Sequence, residues 1–238
     1  TILGSGPSSG VPVVGLGWGN CDLINPKNRR LRSSIIIKGG DAQVLVDTSP
    51  DLREQLLKNN ISCLDAVLFT HAHADHVNGI DDLRGINRAM NAPIPGYADK
   101  KTLIELKKRF GYVLEPLPEN SNYYYKPCLK MHEFSAGDFF NINGLSVKTI
   151  EQDHGFSTSF GFRIDNFAYT TDVKKFCTHA FKLLSGIDTW VIGSFNDVEH
   201  KTHASLSEVL RWIKIIGPKK AIITHMGPHL DYENVLDT

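Results

Sequence analysis

The chain has 238 residues, 41% of them hydrophobic, with 26 basic and 26 acidic side chains and a formal net charge of zero. That length fills one large core, so residues 1–238 read as a single domain. Charge balance argues against an extended nucleic-acid surface or a membrane-binding face, and no apolar run approaches the roughly 18 residues of a membrane span.

The chain opens on a strand over 1–4. This start, Thr1-Ile2-Leu3-Gly4-Ser5-Gly6, lacks the charged and apolar regions of a signal peptide. Strands follow at 33–38 and 43–47, then a helix over 50–60, a strand over 64–70 and a helix over 77–90. A strand at 94–98 leads into a helix over 99–110. Segment 111–128, rich in Pro, Asn and Tyr, reads as a surface loop or lid. Strands at 129–134, 145–152, 159–164 and 167–171 precede a helix over 174–185. The chain ends with a strand at 188–194, a helix over 204–216, a strand at 220–224 and a short helix over 231–236. Val44-Leu45-Val46 and Ala221-Ile222-Ile223 are continuous apolar runs, as in strands covered on both faces. Ser205 and Ser207-Glu208 offer cap chemistry for helix 204–216, which stops at Gly217-Pro218. Interspersed helices in a strand-rich chain fit two sheets between helix layers, an α+β class. Cys21, Cys63, Cys128 and Cys177 show no paired spacing and read as free thiols, which suits a cytoplasmic protein.

Where strand 64–70 ends, His71, His73, Asp75 and His76 crowd into one short segment, Thr70-His71-Ala72-His73-Ala74-Asp75-His76. Imidazole with carboxylate suits zinc, manganese or iron rather than calcium or magnesium. The spacing is too dense for one ion: residues 71 and 73 can face one metal while 75 and 76 turn to a second. Later strands end on the same chemistry, at Asp153-His154, at Asp172 and at His225. Functional groups in sheet-based enzymes gather at one end of the sheet. The expected metal set is therefore His71, His73, Asp75, His76, His154, Asp172 and His225, holding two divalent ions with Asp172 bridging. Asp47, at the end of strand 43–47, either fixes a ligating ring from behind or caps helix 50–60; the sequence leaves both open.

These residues resemble the signature of the metallo-β-lactamase-fold hydrolases, with Asp47, His154, Asp172 and His225 falling in that superfamily's order along nearly the whole chain. Within it the chain looks most like the phosphoribosyl 1,2-cyclic phosphate phosphodiesterases, through Gly4-Ser5-Gly6, Gly10-Val11-Pro12, Asn28 to Ser34, Thr202-His203 and Thr224-His225-Met226. The resemblance implies a four-layer αββα sandwich, a dinuclear site between the sheets and a homodimer. Asp172 fits phosphoesterases of the superfamily, where many lactamases have Cys. Two departures stand out. A structural zinc site common in that subfamily would need Cys at positions held here by Leu16 and Trp18, and His at a position held by Pro228, so Cys21 alone remains and no structural zinc is expected, with Trp18 packing in its place. Gly193 and Asn196 stand where the subfamily has Asp and Arg, which opens the substrate to other small cyclic or linear phosphodiesters and nucleotides.

The implied chemistry is phosphodiester hydrolysis by a metal-bridging hydroxide, with Asp75 a catalytic carboxylate as well as a ligand. His203, at the matching Thr-His position, is the expected general acid for the leaving oxygen, a role contributing about 10²–10⁴-fold; His200 is its alternate. Ser5, Ser8 and Ser9 can cradle an anion, Arg29, Arg30 and Arg32 can hold a phosphate, and Trp18 or Tyr123-Tyr124-Tyr125 can stack on a base. Each of these has a plainer reading as loop, solvated turn or core. The competing functions are a tRNA 3′-processing endonuclease, for which no long basic arm is present, and a carrier or binding protein of the same fold, which would have lost ligands that this chain keeps.

Overall fold

The computed structural model describes residues 1–238. The strands form two six-stranded mixed sheets flanked by helices, the α+β class expected. Contacts divide the chain into two compact units, Thr1–Leu3 with Ser34–Ser146, and Gly4–Ser33 with Val147–Thr238.

In the first sheet the spatial order is the chain order: β1 (Ile2–Gly4), β2 (Ser34–Gly39), β3 (Ala42–Val46), β4 (Ala66–Leu68), β5 (Ile94–Asp99) and β6 (Leu129–Phe134). β2 and β3 are antiparallel, whereas β3, β4, β5 and β6 run parallel. Parallel strands send their carboxyl ends to one edge, so Asp47 after β3 and the segment after β4 emerge side by side. Helices α1 (Leu52–Lys58), α3 (Leu83–Met90) and α4 (Lys100–Leu114) pack on this sheet through Leu52, Leu56, Leu83, Ile86, Leu106 and Val113. Between α1 and α3 lies α2, only Ala74–Val77.

The second sheet has the order β12 (Lys220–Thr224), β11 (Thr189–Gly193), β10 (Phe167–Thr170), β9 (Thr158–Ile164), β8 (Leu145–Asp153) and β7 (Phe139–Ile142). β10, β11 and β12 are parallel, and β9 is antiparallel to both β8 and β10. The carboxyl ends of β8, β10 and β12 therefore share an edge, and that is where His154, Asp172 and His225 lie. Helices α5 (Thr178–Leu184) and α6 (Leu206–Ile216) cover this sheet around the fully buried Trp190, whose indole N–H donates to Thr170 Oγ1 at 2.9 Å. Helix α7 (Tyr232–Leu236) ends the chain.

Ser205 caps α6 by accepting from Glu208 N, and Gly217 ends it at φ 67°, as its sequence indicates. Three expectations change. The helix expected over 77–90 is three pieces: α2, a 3₁₀ turn at Ile80–Asp82, and α3. The break is at Gly79, where a Cβ would meet Ser49 O at 1.9 Å, so the chain passes too close for any side chain. The helix expected from 174 begins only at Thr178, behind the Cys177 cap. Strand β7 is additional; Asn143 and Gly144, both at positive φ, make a two-residue turn into β8, and that Asn-Gly pair was its sequence signal.

Candidate metal centre

The first donor group belongs to the first unit. Segment 71–76 leaves β4, and α2 carries Asp75 and His76. Asp47 stands behind it at φ 63°, a conformation uncommon for a non-glycine residue and one found where surroundings hold it. Ser34 Oγ helps to do so by donating to Val46 O and Asp47 O at 2.9 and 3.1 Å. Asp47 Oδ1 accepts from Thr70 N at 2.8 Å, and Oδ2 accepts from Thr70 Oγ1 at 2.8 Å and His76 Nδ1 at 2.7 Å. Burial pushes the Asp47 carboxyl up, opposed by His76 and Thr70. The residue before α1 is Asp51, so of its two readings Asp47 takes the one that orients a ring.

Tautomers follow from these partners. Thr70 spends its one hydroxyl proton on Asp47, so it accepts from His71 Nδ1 at 2.9 Å. His76 Nδ1 donates to Asp47. Both rings then carry their lone pair on Nε2, the ligating form. The donor atoms of His71 and His73 lie within 4.8 Å of each other, as do those of Asp75 and His76.

The second group belongs to the second unit and is assembled from three strand ends. His154 Nδ1 donates to Thr202 O at 2.8 Å, which again leaves its lone pair on Nε2. Asp172, at φ 51°, sends Oδ2 to within 3.5 Å of His154 Nε2 and Oδ1 to within 3.2 Å of His225 Nε2. His225 also sits at positive φ, 56°. Thr171 Oγ1 donates to Asp172 Oδ1 at 2.8 Å, and Ser159 Oγ to Asp172 O at 2.8 Å. Gln152 holds Ser159 and Thr171 in turn.

The donor chemistry fits divalent metal. With its proton fixed on Nδ1, His154 turns a lone pair toward a carboxylate oxygen 3.5 Å away, and His76 Nε2 does the same toward Asp75 Oδ2 at 3.3 Å. Two acceptors facing each other repel unless a cation joins them. The His and Asp groups can therefore hold metal, and imidazole with carboxylate is the set that zinc accepts.

His203 lies against His154 and His225, with ring centroids 4.9 Å from each. Burial, with the neighbouring His225, His154 and His200 adding and Asp172 opposing, lowers its pKa to about 3. The ring is thus neutral near pH 7. His200 packs on Phe195 and is lowered by burial and by Lys174.

Other sequence candidates separate from this chemistry. Arg30 is 4% exposed and donates to Met226 O, Gly227 O, Leu230 O and Asn28 Oδ1 at 2.6–3.2 Å, so its guanidinium is consumed inside the protein and is not a phosphate ligand. Cys21 Sγ reaches Pro228 O and Leu230 O at 3.4 Å. Arg30 and Cys21 tie segment 226–230 to the early loop. Tyr124 and Tyr125 anchor segment 115–128 through their carbonyls, on Arg88 and Arg84. Thr70, Thr171 and Ser159 were not identified from sequence. A signal existed for two of them: a buried threonine directly precedes each of His71, Asp172 and His225.

Comparison with known proteins agrees with this geometry. The Beta-lactamase superfamily domain matches residues 42–226. A solved structure described as a new diphosphatase from the PhnP family is 31% identical, with a TM-score of 0.89, covering 98% of this chain and 88% of that one. A protein called octanoyltransferase from Porphyromonas gingivalis is 33% identical over 96% of this chain but 46% of its own length. A ribonuclease Z from Mycobacterium bovis is 26% identical over 59% of this chain and 55% of its own length. The chain thus spans about half the length of these two relatives. No helix is long and apolar enough to cross a membrane.

Proposed function

We propose that this chain, which belongs to the Beta-lactamase superfamily domain family and is a metal-dependent hydrolase of metallo-β-lactamase fold, is a phosphodiesterase acting on a small cyclic phosphodiester or nucleotide. In this reading His71, His73, Asp75, His76, His154 and His225 would hold two divalent ions, with Asp172 serving both. Zinc or manganese suits the set, and iron is accepted by the same donors. The observation that carries the reading is Asp172, one carboxylate with each oxygen aimed at a different imidazole. Two ions, when bound, supply charge neutralisation at the phosphoryl oxygens and a lowered pKa for water.

The chain's own residues do the rest. Asp47, Thr70 and the Thr202 carbonyl fix the rings, so no reorientation is needed during reaction. Asp75 is assigned a catalytic part beside its ligand role, orienting the attacking water. His203 is assigned to the leaving oxygen. At rest the ring is neutral; the negative charge of a bound substrate raises its pKa, so that the ring takes up a proton from solvent and passes it to the leaving oxygen.

A second reading is hydrolysis of a diphosphate linkage, favoured by the 31% identical structure described as a diphosphatase. Metal, clamp and proton donor would serve it equally. The deciding experiment measures metal-reconstituted protein on bis(p-nitrophenyl) phosphate, a cyclic nucleotide, a dinucleoside diphosphate, a precursor tRNA and an octanoyl thioester. Metal-dependent turnover of the first two supports the phosphodiesterase reading. Preference for the diphosphate, the tRNA or the thioester replaces it with the activity found. No turnover by protein holding two ions per chain overturns it in favour of a binding role.

A further inference from the structure

Arg109 lies outside every motif the sequence displays. It sits on α4, which begins with Asp99 capping Lys101 N and Thr102 N at 2.9 and 3.2 Å. The helix does not run straight to Leu114. At Phe110 the backbone leaves helical geometry (φ −131°, ψ 34°), one residue before Gly111. Breaks of this kind arise at identifiable sites, glycine among them, and they redirect the side chains beside them. Beyond the break, the last turn is pinned from outside. Tyr112 Oη donates to Asp81 Oδ1 at 2.9 Å, and Lys126 Nζ donates to Tyr112 O at 2.5 Å and to Glu115 O.

The consequence is the placement of one guanidinium. Arg109 Nη2 donates to the carbonyl of Ala72, the residue between His71 and His73. Its Nε stands 4.0 Å from Glu105, a long contact across one helical turn, and its side chain remains 31% exposed. Guanidinium carries five N–H donors in a planar fork and is charged at any working pH. The Ala72 carbonyl and a distant carboxylate use only part of that fork. His73 is itself exposed, so the neighbourhood is open to solvent. The hydrated, partly used fork is therefore able to accept an anion beside the segment that carries two metal donors. Phosphate oxygens match the fork in charge and spacing.

We propose that Arg109 is a substrate-binding residue that grips a non-bridging oxygen of the phosphoryl group and orients it toward the ions. This rests on the phosphoryl-transfer reading above. The test compares the metal-loaded full chain with Arg109→Ala and Arg109→Lys. Calorimetry measures binding of inorganic phosphate, kinetics measure bis(p-nitrophenyl) phosphate, and metal content is read on each sample. The expected result is phosphate binding weakened about 10-fold in Arg109→Ala, a KM raised by a similar factor, kcat within about 3-fold and metal content unchanged. Arg109→Lys, which keeps the charge but loses the fork, recovers less than half of the phosphate affinity and serves alone if the alanine variant does not fold. Phosphate affinity and KM unchanged in the variants overturns the proposal. So does loss of metal with phosphate affinity per loaded site unchanged, which makes Arg109 a brace for the ligand segment. If the wild type hydrolyses no phosphoester, calorimetry still decides: phosphate binding that depends on Arg109 sustains this proposal while the catalytic reading falls.

Discussion

The two donor groups are built differently. In the first unit, His71, His73, Asp75 and His76 come from one unbroken segment, and a side chain, Asp47, fixes the His76 ring. In the second, His154, Asp172 and His225 come from three strand ends, and a backbone carbonyl, Thr202 O, fixes the His154 ring. A contiguous segment needs only local turns to gather its donors. Dispersed donors need the sheet itself, because only the strand order β8-β9-β10-β11-β12 brings these ends to one edge. The first group depends on a few hydrogen bonds, the second on correct pairing of five strands.

The largest break comes from the carboxylate assigned to both ions. Asp172→Ala is expected to lose both metals and to cut phosphodiester turnover by about 10³-fold or more, since several kcal/mol of charge stabilisation disappears. His73→Ala, which removes an exposed donor from one ion only, is expected to leave about one metal per chain. Elemental analysis of dialysed protein distinguishes the two. If Asp172→Ala keeps one tightly held ion, the shared role is wrong.

The second prediction tests the contrast between anchors. Asp47→Asn keeps the shape but removes the charge behind His76, and metal affinity is expected to fall about 10–100-fold. Thr202→Ala leaves its anchoring carbonyl in place, so affinity is expected to stay within about 3-fold. Competition with a chromogenic chelator reads both. Equal losses would mean that the Thr202 side chain, whose hydroxyl meets His200 Nδ1 at 3.3 Å, matters more than its hydrogen bonds indicate.

This contrast also explains what was legible in the sequence. The segment 71–76 declared itself because its donors are neighbours in the chain. His154, Asp172 and His225 were legible because apolar runs marked the strands before them, and those strands are real: β8, β10 and β12 lie within the expected ranges to a residue or two. The pins were less visible. Ser159 supports Asp172 from the start of β9, and nothing in its local sequence separates it from any strand serine. Arg30 read as a surface cation because charge alone cannot reveal burial; its partners are carbonyls almost 200 residues away, which no local pattern encodes. The split of helix 77–90 depended on the approach of Ser49 to Gly79, another distant contact.

Arg30 gives the third prediction, a loss of stability in the frame of the dispersed group. It joins the early loop to Met226, Gly227 and Leu230, just after His225. Arg30→Ala strands three carbonyls, each costing about 1 kcal/mol or more when buried and unpaired, so a loss of roughly 3 kcal/mol is expected in urea unfolding. Arg30→Lys restores charge without the fork and is expected to recover a minor part. A loss below about 1 kcal/mol would show that water replaces the guanidinium.

The smallest effect concerns acid, and it sets Asp231 in the second unit against Asp47 in the first. Asp231 accepts from Asp22 N at 3.0 Å and Asn28 Nδ2 at 2.6 Å, and these bonds, the Asp22 amide foremost, hold its carboxyl below the ordinary 3.8. The unfolded chain therefore takes up this proton first on acidification. The stability Asp231 contributes is fully present above its unfolded value and disappears as pH falls through the lower folded one. Asp231→Asn cannot show that loss, so the stability gap between wild type and variant is expected to narrow from roughly pH 5 to pH 3, the range around the carboxylate value. The raised carboxyl of Asp47 gives the opposite slope in metal-free protein, binding its proton more readily folded than unfolded, and Asp231→Asn leaves that slope untouched. A gap constant across the range would mean that Asp231 acts as a neutral acceptor whose amide partners, not its charge, close the loop around residues 22–28.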